Sequence, residues 1–278
     1  GAVRKERCPG PGRSHMGGVC GKVETLPFDD TSLPPSVRII GKNERKAAAE
    51  CAGRAFSGTA TTDPEMAFHW CLGKALDDFS SPVRKDIVTF MTAFSVSECF
   101  RKGVVLAVVG EDGSPKAICG VRRLHDAPNP SAFWSWLSDM REFVAVSGFY
   151  SAPKCVDTPE FTAAMKRFDG PGSLRAAMQE GHLAHARGPH YYVHIVAVDP
   201  AAQGSGLCSL LLRAVSRAAD QDRLPCYLEA SSARNVAVYK HFGYAVRQQK
   251  TLQTPGTSPT DAFTECYAMV RPPQPTLD

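Results

Sequence analysis

Long apolar runs are missing from this sequence. The longest strictly aliphatic stretch, Val104 to Val109, covers six residues, far short of the roughly twenty that a membrane-spanning helix needs. Paired cysteines are missing as well. Ten are present, yet no two fall within the short spacing that chelates zinc or forms a redox pair. Scattered through apolar segments and without a secretory signal, they read as the reduced, buried thiols of a cytoplasmic protein. Nor is there an excess of one charge in the body of the chain. The formal net charge is +4, and residues 1–22 alone carry Arg4, Lys5, Arg7, Arg13 and Lys22 against Glu6. The remainder is balanced, which leaves no electrostatic footprint for nucleic acid or an anionic bilayer. Membrane attachment is expected only if translation starts at Met16 and Gly17 is acylated, with Cys20 as a nearby second site.

What is present is a globular composition with periodic apolar segments. Residues 1–34 are rich in Gly and Pro without an apolar period, so they read as a disordered tail. Residues 35–272 are expected to form one domain, followed by a short tail at 273–278. Strand 37–40 leads into helices over 43–56, 65–76 and 82–101, the last opened by Pro82. Residues 104–109 and 116–124 read as a hairpin around the Asp112-Gly113 turn. Residues 126–190 form an insertion with aromatic clusters at Phe133, Trp134 and Trp136 and at Phe149 and Tyr150, and helices near 159–168 and 173–185. This segment is either a lid or substrate wall, or its aromatics simply fill a core.

Residues 190–270 carry the most information. A strand over 190–198 precedes a glycine turn and a helix over 206–222. In that helix Leu207, Leu210, Leu211, Ala214, Val215 and Ala218 recur at helical spacing, so one face packs on a sheet. A strand at 226–230, a helix at 232–242 ended by Gly243, and strands near 244–252 and 263–270 follow.

The turn Gln203-Gly204-Ser205-Gly206 lies between an apolar strand and an amphipathic helix, where backbone N–H groups and the helix N-terminus can face an anion. Ser209 stands where a dinucleotide fingerprint has its third glycine, and no Lys follows the turn, which removes a P-loop. A side chain at Gly206 is expected to clash here. From Tyr192 to Tyr244 the sequence resembles the GCN5-related N-acetyltransferase (GNAT) superfamily over its strand 4, helix 3, strand 5 and helix 4 core. The likeness is carried by Val198-Asp199-Pro200, by Gln203-Gly204-Ser205-Gly206-Leu207, by Pro225-Cys226-Tyr227-Leu228-Glu229-Ala230-Ser231, and by Asn235, Tyr239 and Gly243-Tyr244. Puromycin-acetyltransferase-like members are the most similar in feel. Cys208 departs from the small Gly/Ala of the signature; pointing into the sheet as a small apolar residue is the expected outcome.

The resemblance implies an α/β fold with a central mixed, mostly antiparallel twisted sheet, flanked by helices and splayed between strands 4 and 5. It implies residues 190–250 as an acetyl-CoA-binding core, with the donor held by Val196, Ala197 and Val198 and by Gln203, Gly204, Ser205, Gly206, Leu207 and Cys208. Acetyl passes directly from thioester to a primary amine. Tyr239 is the implied acid for the departing thiolate, its ordinary pKa of roughly 10 keeping it protonated at neutral pH. Its plainer role is packing against Val236 and Tyr244. Asn235 is placed to reach the pantetheine arm, or else to satisfy local donors at its helix start. For the base, His194 is expected on the same strand face as Tyr192, Val196 and Val198, with an imidazole limb at roughly 6 to 7.5; Glu229 is the rival. His182, His185, His190 and His194 cluster in sequence, but two belong to a helix and two to a strand entry, so no metal set is expected. The acceptor is read as a small-molecule amine, against a protein N-terminal or lysine amine and against a CoA-binding regulatory module without turnover.

Overall fold

The computed structural model describes residues 28, 33–58, 66–73, 78–126, 146, 158–169, 172–253 and 263–275. Seven strands form one sheet: β1 (Val37–Ile39), β2 (Val104–Val109), β3 (Pro115–Leu124), β4 (His190–Val198), β5 (Cys226–Ala230), β6 (Ala245–Gln253) and β7 (Phe263–Arg271), in the order β1-β2-β3-β4-β5-β7-β6. Every neighbouring pair is antiparallel except β4 and β5, which run parallel. The β2–β3 hairpin turns through Gly113 at φ +75°, a left-handed position that glycine adopts without strain.

Among the described residues seven α-helices flank the sheet: α1 (Arg45–Ser57), α2 (Met66–Leu72), α3 (Pro82–Lys102), α4 (Pro159–Asp169), α5 (Leu174–His185), α6 (Leu207–Gln221) and α7 (Ala233–His241). Strand alternation sorts the side chains between two faces. Leu106, Val108, Ala117, Cys119, Val121, Tyr191, Val193, Cys226 and Leu228 point to one face, where they pack with Leu211, Leu212, Ala214, Val215 and Ala218 of α6. The opposite face carries Val105, Ala107, Ile118, Ile195 and Ala197 against Cys51, Ala52, Val96 and Cys99 of α1 and α3. Helices α4 and α5 complete that second layer with α3 through Phe161, Ala164, Leu174 and Ala177. A bidentate pair, Arg271 to Asp220 at 2.7 Å, fastens β7 to α6, and Arg271 also donates to the Phe242 carbonyl at the end of α7.

Three details differ from the sequence reading. Helix α2 ends at Leu72 because Gly73 takes φ +72°, which stops a right-handed helix. Helix α1 starts at Arg45, after a 3₁₀ turn over Lys42–Glu44. Phe28 and Leu33, assigned by composition to the tail, are buried in the α6-side core, with the Phe28 ring edge-on to Tyr191 at 6.5 Å. Residues 1–27, with Gly17 and Cys20, lie outside the described residues, as do Phe133, Trp134, Trp136, Phe149 and Tyr150. The described cysteines are free thiols, six of them buried. Among the described residues no helix is long and apolar enough to cross a membrane.

Candidate active site

The parallel pair β4–β5 holds together over only two registered pairs, Tyr191 with Cys226 and Tyr192 with Tyr227. Beyond them the strands part, and among the described residues the β5-facing edge of Val193–Val198 has no partner strand. On its other edge β4 stays paired with β3, but with an irregularity: Gly120 opposes Ile195 and Val121 opposes Val193. His194 is therefore the extra residue of a β-bulge, and a bulge shifts the face parity of everything beyond it. Val196 and Val198 pack on the α6-side core, whereas Ile195 and Ala197 face α1 and α3. His194 points to the α3 side with Tyr192, their rings 4.9 Å apart. The expected shared face of Tyr192, His194, Val196 and Val198 is thus corrected: strict alternation fails at the inserted residue.

Below the splay lies a cavity of ≈ 470 Å³. Its polar lining comes from α3 (Glu98), β3 (Arg122), α5 (His182), β4 (Tyr192, His194) and β5 (Glu229), and Asn235 and Tyr239 of α7 reach it as well. Gly120 makes this convergence possible. A Cβ there would lie 2.6 Å from the Cys99 sulfur and 2.8 Å from Ile195, so only glycine lets α3 approach the bulge closely enough to bring Glu98 to Arg122 and His194.

The electrostatics of this lining are uneven. Glu98 accepts from Arg122 at 2.9 Å and from Lys102 at 2.8 Å, with the His194 Nε2 at 3.7 Å. Burial alone would raise its carboxyl pKa, but these cations outweigh that and hold it well below the usual range. Burial pushes His194 down to about 4, Glu98 opposing and Arg122 reinforcing the shift. Its Nδ1 is buried without a hydrogen bond. His182 falls to about 3 through burial and the neighbouring His190. The two imidazoles meet Nε2 to Nε2 at 2.8 Å, and His190 Nδ1 donates to the Gly188 carbonyl at 2.8 Å. Glu229 is the opposite case. Burial pushes it up to about 8, although hydrogen bonding by Tyr192 and Tyr227 lowers it in part. Tyr192 donates to Oε2 at 2.9 Å, while Oε1 is buried with no hydrogen bond of ordinary geometry. Among the described residues no set of His, Cys, Asp and Glu could hold a metal ion.

At the far end of β4, the side chain of Asp199 shapes the turn: Oδ1 accepts from Ala201 N at 3.1 Å and Oδ2 from Arg54 at 2.8 Å. Gln203, Gly204, Ser205 and Gly206 are exposed. Gly206 caps α6 at φ +81° with no side-chain cap, and Gly204 sits at φ +83°. A Cβ on either would meet nothing within 4 Å. Within the protein the constraint at Gly206 is left-handed backbone, which a β-branched residue enters with strain. This open turn, with first-turn amides left uncapped, fits a diphosphate-bearing donor. Leu207 and Cys208 face inward and pack against the α6-side core, and burial raises the Cys208 thiol. Ser232 caps α7 by accepting from Asn235 N at 3.2 Å. Tyr239 both lines the cavity and packs edge-on to Tyr244 at 6.0 Å.

A sheet opened between parallel β4 and β5, with a left-handed glycine turn at the head of the next helix, defines the acyl-CoA N-acyltransferase class of fold. Residues 110–244 match the model of the acetyltransferase (GNAT) family, so this stretch of the chain is a GNAT domain. It is similar to two uncharacterised N-acetyltransferases of Schizosaccharomyces pombe. One is 32% identical over 36% of this chain and 40% of the relative. The other is 36% identical over 21% of this chain and 24% of the relative. The chain thus matches less than half the length of either. Among solved structures, arylalkylamine N-acetyltransferase 2 from Aedes aegypti shares the fold at 11% identity and TM-score 0.50, over 86% of this chain and 98% of the other.

Sequence reasoning singled out Tyr239, His194, Glu229 and Asn235, and all four line the cavity. It missed Glu98, Arg122, Tyr192 and His182 as members of one polar lining. Arg122, which directly follows the apolar run of β3 and is buried, was the available signal, because a buried cation needs a partner.

Proposed function

We propose that this chain is an acetyl-CoA-dependent N-acetyltransferase that passes acetyl directly to the primary amine of a small molecule. The observation that carries the reading is the continuity between the β4–β5 opening and the cavity beneath it, with Tyr239 and Glu229 in the lining. The unpaired edge of Val196, Ala197 and Val198 would hold the donor arm, the turn Gln203–Gly206 with the first amides of α6 its phosphates, and Asn235 the pantetheine. The largely apolar side chains that α3, α4 and α5 supply to the cavity support a small acceptor over a protein chain.

In this reading the neutral amine attacks the thioester carbonyl, an N–C bond forms and the C–S bond breaks. The proton leaving nitrogen goes to the Glu229 carboxylate, and the departing thiolate takes a proton from the Tyr239 hydroxyl. Glu229 suits the task better than His194. A carboxylate raised to about 8 is far closer in basicity to an alkylammonium than an imidazole lowered to about 4, and the ideal catalytic pKa lies near the working pH. His194 then helps to shape the polar wall. Incubation with acetyl-CoA and pooled amines, followed by mass spectrometry, tests the reading. Acetylated products that require both the protein and acetyl-CoA are expected; donor binding without any product would make the chain a CoA-binding module.

A further inference from the structure

The cavity lining combines charged and apolar side chains. Four carboxylates stand among its described lining residues, Glu98, Asp169, Glu229 and Glu265. Three are already answered. Glu98 has Arg122 and Lys102, Asp169 has Arg175 at 3.1 Å, and both oxygens of Glu265 accept from neutral donors, Gln249 at 2.7 Å and Tyr267. Of the four, Glu229 is the one with an oxygen that is buried without a hydrogen bond of ordinary geometry. The cavity's apolar lining includes Met91, Phe94, Met165, Phe168, Leu174 and Met178, supplied by α3, α4 and α5. It contains three thioethers and two aromatic rings, soft and polarisable surfaces that fit an apolar body of variable outline.

Resting on the transferase reading, we infer that the acceptor is a monoamine with an apolar body, its one amine at Glu229 Oε1 and its hydrocarbon or aryl portion against the Met/Phe/Leu wall. A second ammonium, as in a polyamine, would lose its hydration against the methionine and phenylalanine lining. A peptide α-amine would bring backbone N–H and C=O groups that the apolar wall does not satisfy.

The test uses the full chain with saturating acetyl-CoA and measures thiol release for 2-phenylethylamine, ethylamine, spermidine and a short peptide with a free α-amine. Burying a phenyl ring predicts a kcat/KM for 2-phenylethylamine about 10- to 10²-fold above that for ethylamine, with spermidine and the peptide below both. Met165→Gln and Met178→Gln, near-isosteric changes at half-buried wall positions, should each raise KM for 2-phenylethylamine several-fold and leave ethylamine within twofold. A phenylethylamine-to-ethylamine ratio near one, or preferred acetylation of spermidine or the peptide, overturns the inference while the transferase reading stands. Should no amine turn over, calorimetric titration of 2-phenylethylamine into the CoA-saturated protein decides it, and absence of binding overturns it. Failure of acetyl-CoA itself to bind removes the transferase reading and the inference together.

Discussion

Glu98 and Glu229 line the same cavity from different elements, one on α3 and the other on β5. Beside Glu98 the chain places Arg122 and Lys102, and the carboxyl stays ionised far below its ordinary range. Beside Glu229 it places the hydroxyls of Tyr192 and Tyr227, and burial, unopposed by any cation, lifts the carboxyl to about 8. The difference teaches how one residue type becomes either a fixed charge or a titrating group. A buried carboxylate with cations beside it serves as scaffold, and one with only neutral donors can exchange a proton near neutral pH.

Each side of that comparison can be broken in turn. Glu229→Gln removes the titrating group and keeps the shape, so kcat/KM at pH 7.5 should fall by about 10²- to 10⁴-fold with acetyl-CoA affinity within threefold. On the other side, Arg122→Met leaves Glu98 with Lys102 alone. Denaturant unfolding should show a loss of about 3 kcal/mol, the scale for stripping one partner from a buried ion pair. A loss under about 0.5 kcal/mol would mean that the pair is solvated in the free protein. Tyr239→Phe should lower kcat by about 10²-fold and leave donor affinity nearly intact, as expected for removal of a positioned acid. A change under threefold would reduce Tyr239 to its packing against Tyr244. The smallest effect is expected from His194→Gln, below tenfold in kcat/KM, because an imidazole lowered to about 4 is already neutral and weakly basic at working pH. A drop of 10²-fold or more there would transfer the base from β5 to β4.

How much of this was legible in the sequence follows from how local each signal is. The β4–turn–α6–β5–α7 stretch was readable because its evidence is contiguous: an apolar strand, two glycines at left-handed positions, a helix with leucines at helical spacing, and a terminal Gly243. The same holds for Pro82, which occupies the first turn of α3. The bulge at His194 was not readable, since it exists only in the register between β3 and β4, and a single unmatched residue leaves the apolar pattern of β4 intact. The Glu98–Arg122 pair was hidden for a related reason. Its partners lie 24 residues apart on a helix and a strand, brought together by the missing side chain of Gly120, and no local period reports such an approach. Phe28 was missed because one aromatic can anchor a segment whose average composition argues for none.

The pH dependence of kcat/KM tests the assignment of Glu229 most directly. The base must be deprotonated to accept a proton, so the rate should rise with pH through a limb near 8, set by the raised carboxyl of Glu229. Ionisation of the amine adds its own limb, so two amines of different pKa are compared, and the limb that stays fixed between them belongs to the enzyme. The account predicts that this fixed limb disappears in Glu229→Gln and persists in His194→Gln. A fixed limb that survives in Glu229→Gln and vanishes in His194→Gln would contradict it.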